Sequence, residues 1–319
     1  MKKLLSLMLA IVMLAGTALA ETRIDPGIPG NLPEDPQIGD SFITWACYDW
    51  LSGTTLPEGT ARWTHFLELG QKVQEQMYEL LEQEHEDPAF RLGTDFYQML
   101  LDTDTRAASG FGRHITALAD AVLACTTIEE FAGVISGSPE AILFSPFLTF
   151  YVGADLKDSA VNALYLLAPS LFLPDSDYYS SPTELSNRYL DAERTCGEKL
   201  LMLYGMSRED AAATMDRCFE METLIAAGCY PLSVSYQSDY LEVVYNPTPV
   251  SQLEQEMTAF PLMKILQQLG VDADTIIVYE PEALKNLDAL FTQENLEGLK
   301  AYYAAHLFPQ IADVASPEA

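Results

Sequence analysis

The chain has 319 residues, with 47 acidic against 17 basic side chains and a formal net charge of −30 at pH 7. A surface this acidic repels phosphate backbones and anionic lipid headgroups, which argues against nucleic acid or membrane partners. Because 49% of the residues are hydrophobic, we expect a sizeable core in one large or two modest domains.

Residues 1–20 have the pattern of a secretory signal peptide. Lys2 and Lys3 precede the apolar stretch 4–14, and Ala18 and Ala20 frame a small-x-small cleavage site. The alternative is a membrane anchor, but the apolar run of about 11 residues is shorter than the roughly 20 that span a bilayer. We therefore predict cleavage and export to an extracellular, cell-surface or periplasmic location, with no membrane contact afterwards.

Residues 21–39 form a leader rich in proline and glycine, which predicts an extended segment. From Trp63 onward the spacing becomes helical, with apolar residues recurring every three or four positions. Similar patterns predict further helices near 94–101, 113–124, 128–136, 139–143, 184–204, 207–227, 250–258, 260–269, 280–290 and 294–307.

Two aromatic and apolar runs, 147–152 and 161–167, predict a short β-hairpin, and 276–278 predicts a further strand. The fold class is therefore mainly α, a multi-helical protein with a small β-hairpin insertion.

Five cysteines, Cys47, Cys125, Cys196, Cys218 and Cys229, show neither a Cys-x-x-Cys pair nor zinc-finger spacing. An odd number leaves at least one thiol unpaired within the chain. Most are expected to be small buried residues, and spacing alone assigns no disulfide.

The segment 40–69, DSFITWACYDWLSGTTLPEGTARWTHFLEL, resembles the opening of the neprilysin and endothelin-converting-enzyme family of zinc metallopeptidases. The matching positions are Asp40, Phe42, Trp45, Ala46, Cys47, Trp50, Leu51, Leu56, Pro57, Arg62, Trp63 and Phe66. Tyr48 stands where that family has glycine, so the local backbone can differ there.

Further matches follow in order as far as residue 307. They are Asp95 to Tyr97 with Asp102, Arg106 and Gly110; Asp155 to Ser159; Leu171 to Asp175 with Tyr178 and Tyr179; Glu220 to Glu222 with Leu224 and Ala226; Tyr245 to Thr248; and Lys300 to Tyr302. The resemblance implies a fold of two mainly helical lobes around a cavity, where one lobe carries zinc and the other covers it. It places 40–62 at the start of the catalytic lobe, 63–311 in the covering domain and 312–319 in a tail.

A zinc peptidase needs two imidazoles one helical turn apart, a further ligand and a glutamate base. His65, His85, His114 and His306 include no pair at i and i+4. His85 begins a similar motif, but Ala89 replaces the second histidine and Pro88 breaks the helix. We therefore predict no catalytic or metal-ligating residue in this chain, which is truncated before the His-Glu-x-x-His region, and zinc only in the missing catalytic half.

One binding residue follows from the resemblance. Arg62 matches an arginine that, in neprilysin-type members, meets the terminal carboxylate of the peptide substrate. A guanidinium suits this role because its planar fork donates two parallel hydrogen bonds. The alternative is an ordinary surface arginine near the start of a helix, and the sequence does not decide between them.

Two acidic pairs, Asp102 with Asp104 and Asp175 with Asp177, could suggest calcium. Neither continues into a twelve-residue loop with its glycine and final glutamate, so helix capping and turns explain them better.

The sequence thus predicts the N-terminal domain of a secreted, neprilysin-like zinc metalloendopeptidase acting on oligopeptides, inactive alone and completed by a separate catalytic-lobe polypeptide. The alternative is an exported, non-catalytic module that binds peptides or a partner, and a decaying gene fragment also remains open. Whether the chain is itself an enzyme is not decided by its sequence.

Overall fold

A computed structural model describes residue 32 and residues 35–39, 41–57, 60, 62–83, 85–105 and 113–312. The predicted signal peptide, Asp40, Arg106, Gly110 and residues 313–319 lie outside these ranges. The chain divides into two compact units, residues 1–98 and 99–319, which are described separately. The segment boundaries expected from the resemblance remain predictions.

The first unit is helical. Its elements are α1 (Phe42–Ala46), α2 (Tyr48–Gly53), α3 (His65–Leu81) and most of α4 (Pro88–Leu101). Hydroxyl side chains set two of the helix starts, because Ser41 Oγ accepts from Thr44 N and Thr64 Oγ1 accepts from Leu67 N. Helix α4 begins at Pro88, earlier than expected from its pattern, since proline is compatible with the first helical turn.

Helix α3 has an apolar stripe that is exposed in the described part of the chain. None of its residues is buried, and the stripe consists of Phe66, Leu69, Val73, Met77 and Leu80. These positions share one face at the helical repeat. The predicted periodicity is therefore confirmed, while the stripe itself remains exposed.

The second unit contains the remaining elements. The helices are α5 (Arg113–Ala124), α6 (Ile128–Ile135), α7 (Pro139–Leu143), α8 (Asp177–Ser180), α9 (Glu184–Tyr204), α10 (Arg208–Ala226), α11 (Tyr240–Val243), α12 (Val250–Glu256), α13 (Leu262–Gln268), α14 (Pro281–Leu290) and α15 (Leu296–Leu307), with a 3₁₀ turn at Leu232–Tyr236. The strands are β1 (Thr149–Ala154), β2 (Asn162–Leu167), β3 (Asn246–Pro249) and β4 (Thr275–Val278).

The strands form one sheet in the order β1-β2-β4-β3. β1 and β2 pair antiparallel as the predicted hairpin, β2 and β4 pair parallel, and β3 and β4 pair antiparallel. One face of the sheet, including Phe150 and Leu166, packs on the core. The mainly α fold with a hairpin is thus confirmed, and β3 and the joining of the hairpin to β4 are additions that local patterns did not predict.

The core of this unit is centred on α15 and a group of aromatic rings. Phe147 lies 5.2 Å from Tyr302 and 5.9 Å from both Phe260 and Phe291, measured between ring centroids. Phe131 contacts the same group. In the described part of the chain, no helix combines the length and apolar character needed to cross a membrane.

Candidate functional site

Arg62 lies in the short irregular segment immediately before α3. Its side chain is exposed, whereas the neighbouring Trp63 is half-buried. Two residues later, Thr64 caps the helix. Arg62 therefore lies close in sequence to the N-terminal end of α3.

Contacts from Trp50 of α2 fix the position of the first turn of α3. Its ring lies 4.3 Å from that of His65, and its Nε1 donates to Glu68 Oε2 at 2.9 Å. Glu68 also accepts from Lys72 Nζ at 2.6 Å. The bonds from Lys72 and then Trp50 lower the pKa of Glu68, because they favour its charged form. These contacts join α2 to the first turn of α3.

The guanidinium of Arg62 is available for binding. No hydrogen bond or ion pair connects it to another residue among those described here. An exposed guanidinium can donate two parallel hydrogen bonds to a carboxylate. The geometry is therefore compatible with the predicted role, which stays a prediction.

The histidines with described side chains do not fit a zinc site. His65 stacks on Trp50, His85 Nε2 lies 2.7 Å from Leu80 O, and His306 is buried against Glu222. Within the described ranges, no three His, Cys, Asp or Glu side chains converge as metal ligands. The side chain of His114 is not among those that the structure describes.

A buried polar network connects three parts of the second unit. Glu222 on α10 is 0% exposed, and its Oε1 accepts from Phe172 N at 2.8 Å and contacts His306 Nε2 at 2.7 Å. Its Oε2 accepts from the Tyr179 hydroxyl at 2.7 Å, which in turn accepts from Leu173 N. Both oxygens of this carboxylate thus have hydrogen-bond partners, as a buried polar group requires.

The network perturbs its neighbours. Burial and then the charge of Glu222 raise the pKa of Tyr179, so the phenol remains a hydrogen-bond donor. Burial and repulsion from Glu222 also raise the pKa of Glu193 on α9. Phe172 stacks on the His306 ring at 4.0 Å. Since Glu222 and His306 are both buried, the network connects α10, α15 and the segment around Phe172 in the interior of the second unit.

Other residues that carried the resemblance also connect structural elements. Asp155 accepts from the backbone of Lys157 and from the Tyr245 hydroxyl. Lys300 Nζ donates to Cys125 O at 2.8 Å, and the Tyr302 hydroxyl donates to Pro146 O. These motifs are therefore explained by contacts within the fold.

The acidic pairs form local turns, as expected. Asp175 Oδ1 accepts from Asp177 N, and Asp102 Oδ1 accepts from Thr105 N. The cysteine side chains form no disulfide among the described residues. All five are free thiols, Cys125 and Cys218 are buried, and burial raises the pKa of Cys229 to about 12.

The fold and sequence together identify the family. The sequence profile of Peptidase family M13 matches residues 38–319. The chain belongs to peptidase family M13. The resemblance to neprilysin-type enzymes is thereby confirmed, and the chain covers the N-terminal portion of the family.

The relatives are distant and longer. A protein of Streptococcus gordonii described as a putative zinc metalloproteinase in the scaA 5' region is 23% identical over 277 residues, covering 83% of this chain and 47% of its own length. Neprilysin-3 of Drosophila melanogaster is 24% identical over 278 residues, covering 81% of this chain and 35% of its own. The chain thus spans less than half of each relative.

A solved structure shows the same architecture. The crystal structure of PepO from Lactobacillus rhamnosis HN001 superposes with a TM-score of 0.72 at 18% identity, covering 89% of this chain and 45% of that one. At this identity the similarity concerns the fold alone.

Sequence reasoning missed the pairing of Glu222 with His306. The two residues are 84 positions apart, and no local pattern connects them. The buried side of α15 offered a signal, because His306 follows a run of apolar and small residues that leaves no polar face.

Proposed function

We propose that this chain is the covering lobe of a neprilysin-like zinc metalloendopeptidase that acts on oligopeptides, and that residues 1–319 alone do not hydrolyse peptides. The family match over 38–319 supports the first part. The second rests on the sequence, which contains no His-Glu-x-x-His. In this proposal, residues 40–62 belong with the catalytic lobe and 63–311 with the cover.

The zinc ligands are then supplied from outside these residues. Bound zinc would polarise a peptide carbonyl and activate water. The contribution of this chain is to restrict entry and to orient the substrate. Arg62 would hold the terminal carboxylate of a peptide through its two parallel donors.

The exposed stripe on α3 supports a partner for this unit. An uncovered apolar face of this kind is typical of an interaction surface, and a catalytic-lobe polypeptide carrying the zinc helix is the partner that family membership suggests. The substitutions Val73→Asp and Met77→Asp should abolish that association. Gln71→Asp, on the opposite side of the same helix, should preserve it.

The direct experiment measures zinc content and cleavage of a fluorogenic oligopeptide by the purified chain. We expect no bound zinc and no hydrolysis above background. Adding a polypeptide with the catalytic region of the same peptidase should produce a complex and chelator-sensitive cleavage. Stoichiometric zinc together with cleavage by the chain alone would refute the proposal.

A second candidate is a non-catalytic peptide-binding module, favoured by the free and exposed guanidinium of Arg62. Affinity for a peptide with a free C-terminus should then fall about tenfold in Arg62→Ala, consistent with loss of a charge-assisted pair. Arg91→Ala, an exposed arginine on α4, is the control. Equal peptide affinity of both variants would show that Arg62 does not bind the peptide carboxylate.

We also propose that the protein is exported after cleavage following Ala20. The basic start, short apolar run and small residues of 1–20 support this. Mass spectrometry of the protein from its native host should give a mature N-terminus at Glu21. An intact N-terminus in the cell interior would contradict the proposal.

A further inference from the structure

The two edges of the sheet differ in their free hydrogen-bonding groups. On β3, Val250 N donates to Asp274 O, so residues 246, 248 and 250 face β4 in the antiparallel register. Pro247 and Pro249 therefore occupy the outward positions. Since proline has no N–H, this edge offers no backbone donor to another strand.

The edge of β1 has no such protection. Asp155 N donates to Val161 O, so odd-numbered residues of β1 face β2, while Phe150 and Val152 direct their backbone groups outward. The bond from Tyr279 N to Leu166 O agrees, because it shows that even-numbered residues of β2 face β4. Among the described residues, no backbone partner contacts Phe150 or Val152 at this edge.

The side chains of β1 are also accessible. Val152 is 68% and Tyr151 is 39% exposed. The sequence TFYVGA contains neither a charge nor a proline, the residues that usually prevent strand addition at an edge. The free edge can therefore accept an extended chain.

The ring of Tyr151 indicates what that chain should carry. It stacks on Tyr165 of β2 at 4.6 Å, with an angle of 5° between the planes. Because Tyr165 covers the side facing β2, the other face of the ring is directed toward a strand added beside β1. An aromatic face attracts a cationic side chain.

The acidic charge of the protein also favours a cationic chain at this edge. The chain has a net charge of −30, and Asp155 follows β1 directly. Hydrogen bonding from the backbone of Lys157 lowers the pKa of Asp155, so its charge persists. A second copy of this acidic chain would be repelled, whereas a cationic segment would be attracted.

We propose that the β1 edge binds an extended cationic peptide by strand addition, with an arginine or lysine opposite Tyr151 and apolar residues beside Val152. Four backbone groups, the N–H and C=O of Phe150 and Val152, would hold the added strand. The proposal is independent of the proposed function, since it involves neither zinc nor Arg62.

The test uses the full chain and a fluorescein-labelled peptide that alternates valine and arginine and ends in a carboxamide. The amide removes the carboxylate that Arg62 would recognise, so failure here is separate from failure of the proposed function. We expect saturable binding by fluorescence anisotropy that weakens as salt is added. A peptide with glutamate in place of arginine should not bind.

Two matched pairs of variants locate the binding surface. Val152→Pro removes an outward donor and should weaken binding about tenfold or more, whereas Val152→Thr keeps that donor and should bind within about twofold of wild type. Tyr151→Ala should weaken binding about threefold to fivefold. Tyr236→Ala, an exposed tyrosine outside the sheet, should have no effect.

A peptide methylated on alternate backbone nitrogens tests strand addition on the unaltered protein, which avoids any folding defect in the proline variant. It should lose binding when the methyl groups face β1. Equal binding of this peptide, or of Val152→Pro, would overturn the proposal. So would light scattering that shows a wild-type dimer lost in Val152→Pro, because the occupant would then be a second copy.

Discussion

Helices α3 and α15 are both rich in apolar residues, yet their surroundings are opposite. In α3 none of the 17 residues is buried. In α15, 10 of the 12 residues are buried, including Lys300 and His306. Helical periodicity predicts that an element is a helix and which face is apolar, but it does not reveal what covers that face.

The difference extends to polar side chains. In the second unit, buried polar groups such as Glu222 have complete hydrogen bonding. In the first unit, the Tyr97 hydroxyl is buried without a partner in the described part of the chain. The first unit therefore differs from the second both in its exposed apolar stripe and in an unsatisfied buried hydroxyl.

Among the variants of the second unit, Glu222→Ala should cause the largest loss in the free energy of unfolding. It leaves Phe172 N and the Tyr179 hydroxyl without their acceptor and His306 Nε2 without its partner, and breaking a buried pair of this kind costs about 3–5 kcal/mol. Urea denaturation measures the free energy of unfolding. Glu220→Ala, exposed on the same helix, should stay within about 0.5 kcal/mol of wild type. Equal losses for Glu222→Ala and Glu220→Ala would show that the network does not contribute to the free energy of unfolding.

Phe147→Leu should destabilise the protein less, because leucine still fills part of the buried volume that the phenyl ring occupies. Phe147 is 0% exposed and contacts several aromatic rings, so we expect a loss of about 1–2 kcal/mol in the free energy of unfolding. Phe66→Leu is the matched control, since Phe66 is 86% exposed. A comparable loss for Phe66 would show that α3 is packed in solution.

The sequence predicted local structure well where one pattern determined it. Helices α5 and α9 have the expected bounds, and Pro139 and Gly205 mark ends that follow from their backbone chemistry. The parallel pairing of β2 with β4 could not be predicted, because it joins residues more than 100 positions apart. Local patterns do not encode such contacts.

The candidate sites show the same division. Arg62 is a candidate because it matches a position in the segment that carries the resemblance, and its binding role stays a prediction. The free edge of β1 was not predicted, since it depends on which strand lies at the end of the sheet. The sequence predicted the hairpin, but it did not predict that the β1 strand lies at a free edge of the sheet.

Glu193→Gln should raise the free energy of unfolding by a smaller amount, and this gain should depend on pH. Burial and then repulsion from Glu222 raise the pKa of Glu193, so the folded protein binds this proton more tightly than the unfolded chain. The ionised carboxylate therefore destabilises the fold as pH rises through the folded pKa, and below the unfolded value of about 4.3 the effect vanishes.

We expect Glu193→Gln to raise the free energy of unfolding by no more than about 0.5 kcal/mol at about pH 8, because solvent screens this half-buried carboxylate, and to leave it unchanged at about pH 3.5. Urea titrations at both pH values make the measurement. Glu220→Gln is the control, because that carboxylate is exposed. A gain of the same size at both pH values would exclude the carboxylate charge as its cause.

The smallest effect on stability should come from replacing Val73 and Met77 of α3 with serine. Both side chains are exposed, so the free energy of unfolding of the chain alone should change by no more than about 0.5 kcal/mol. Binding of a hydrophobic dye should nevertheless fall, because the stripe loses its apolar surface. Leu299→Ser on α15 should instead destabilise strongly, since that side chain is fully buried. A loss above about 2 kcal/mol for the α3 variant would mean that this chain already covers the stripe, and the proposed need for a partner there would fail.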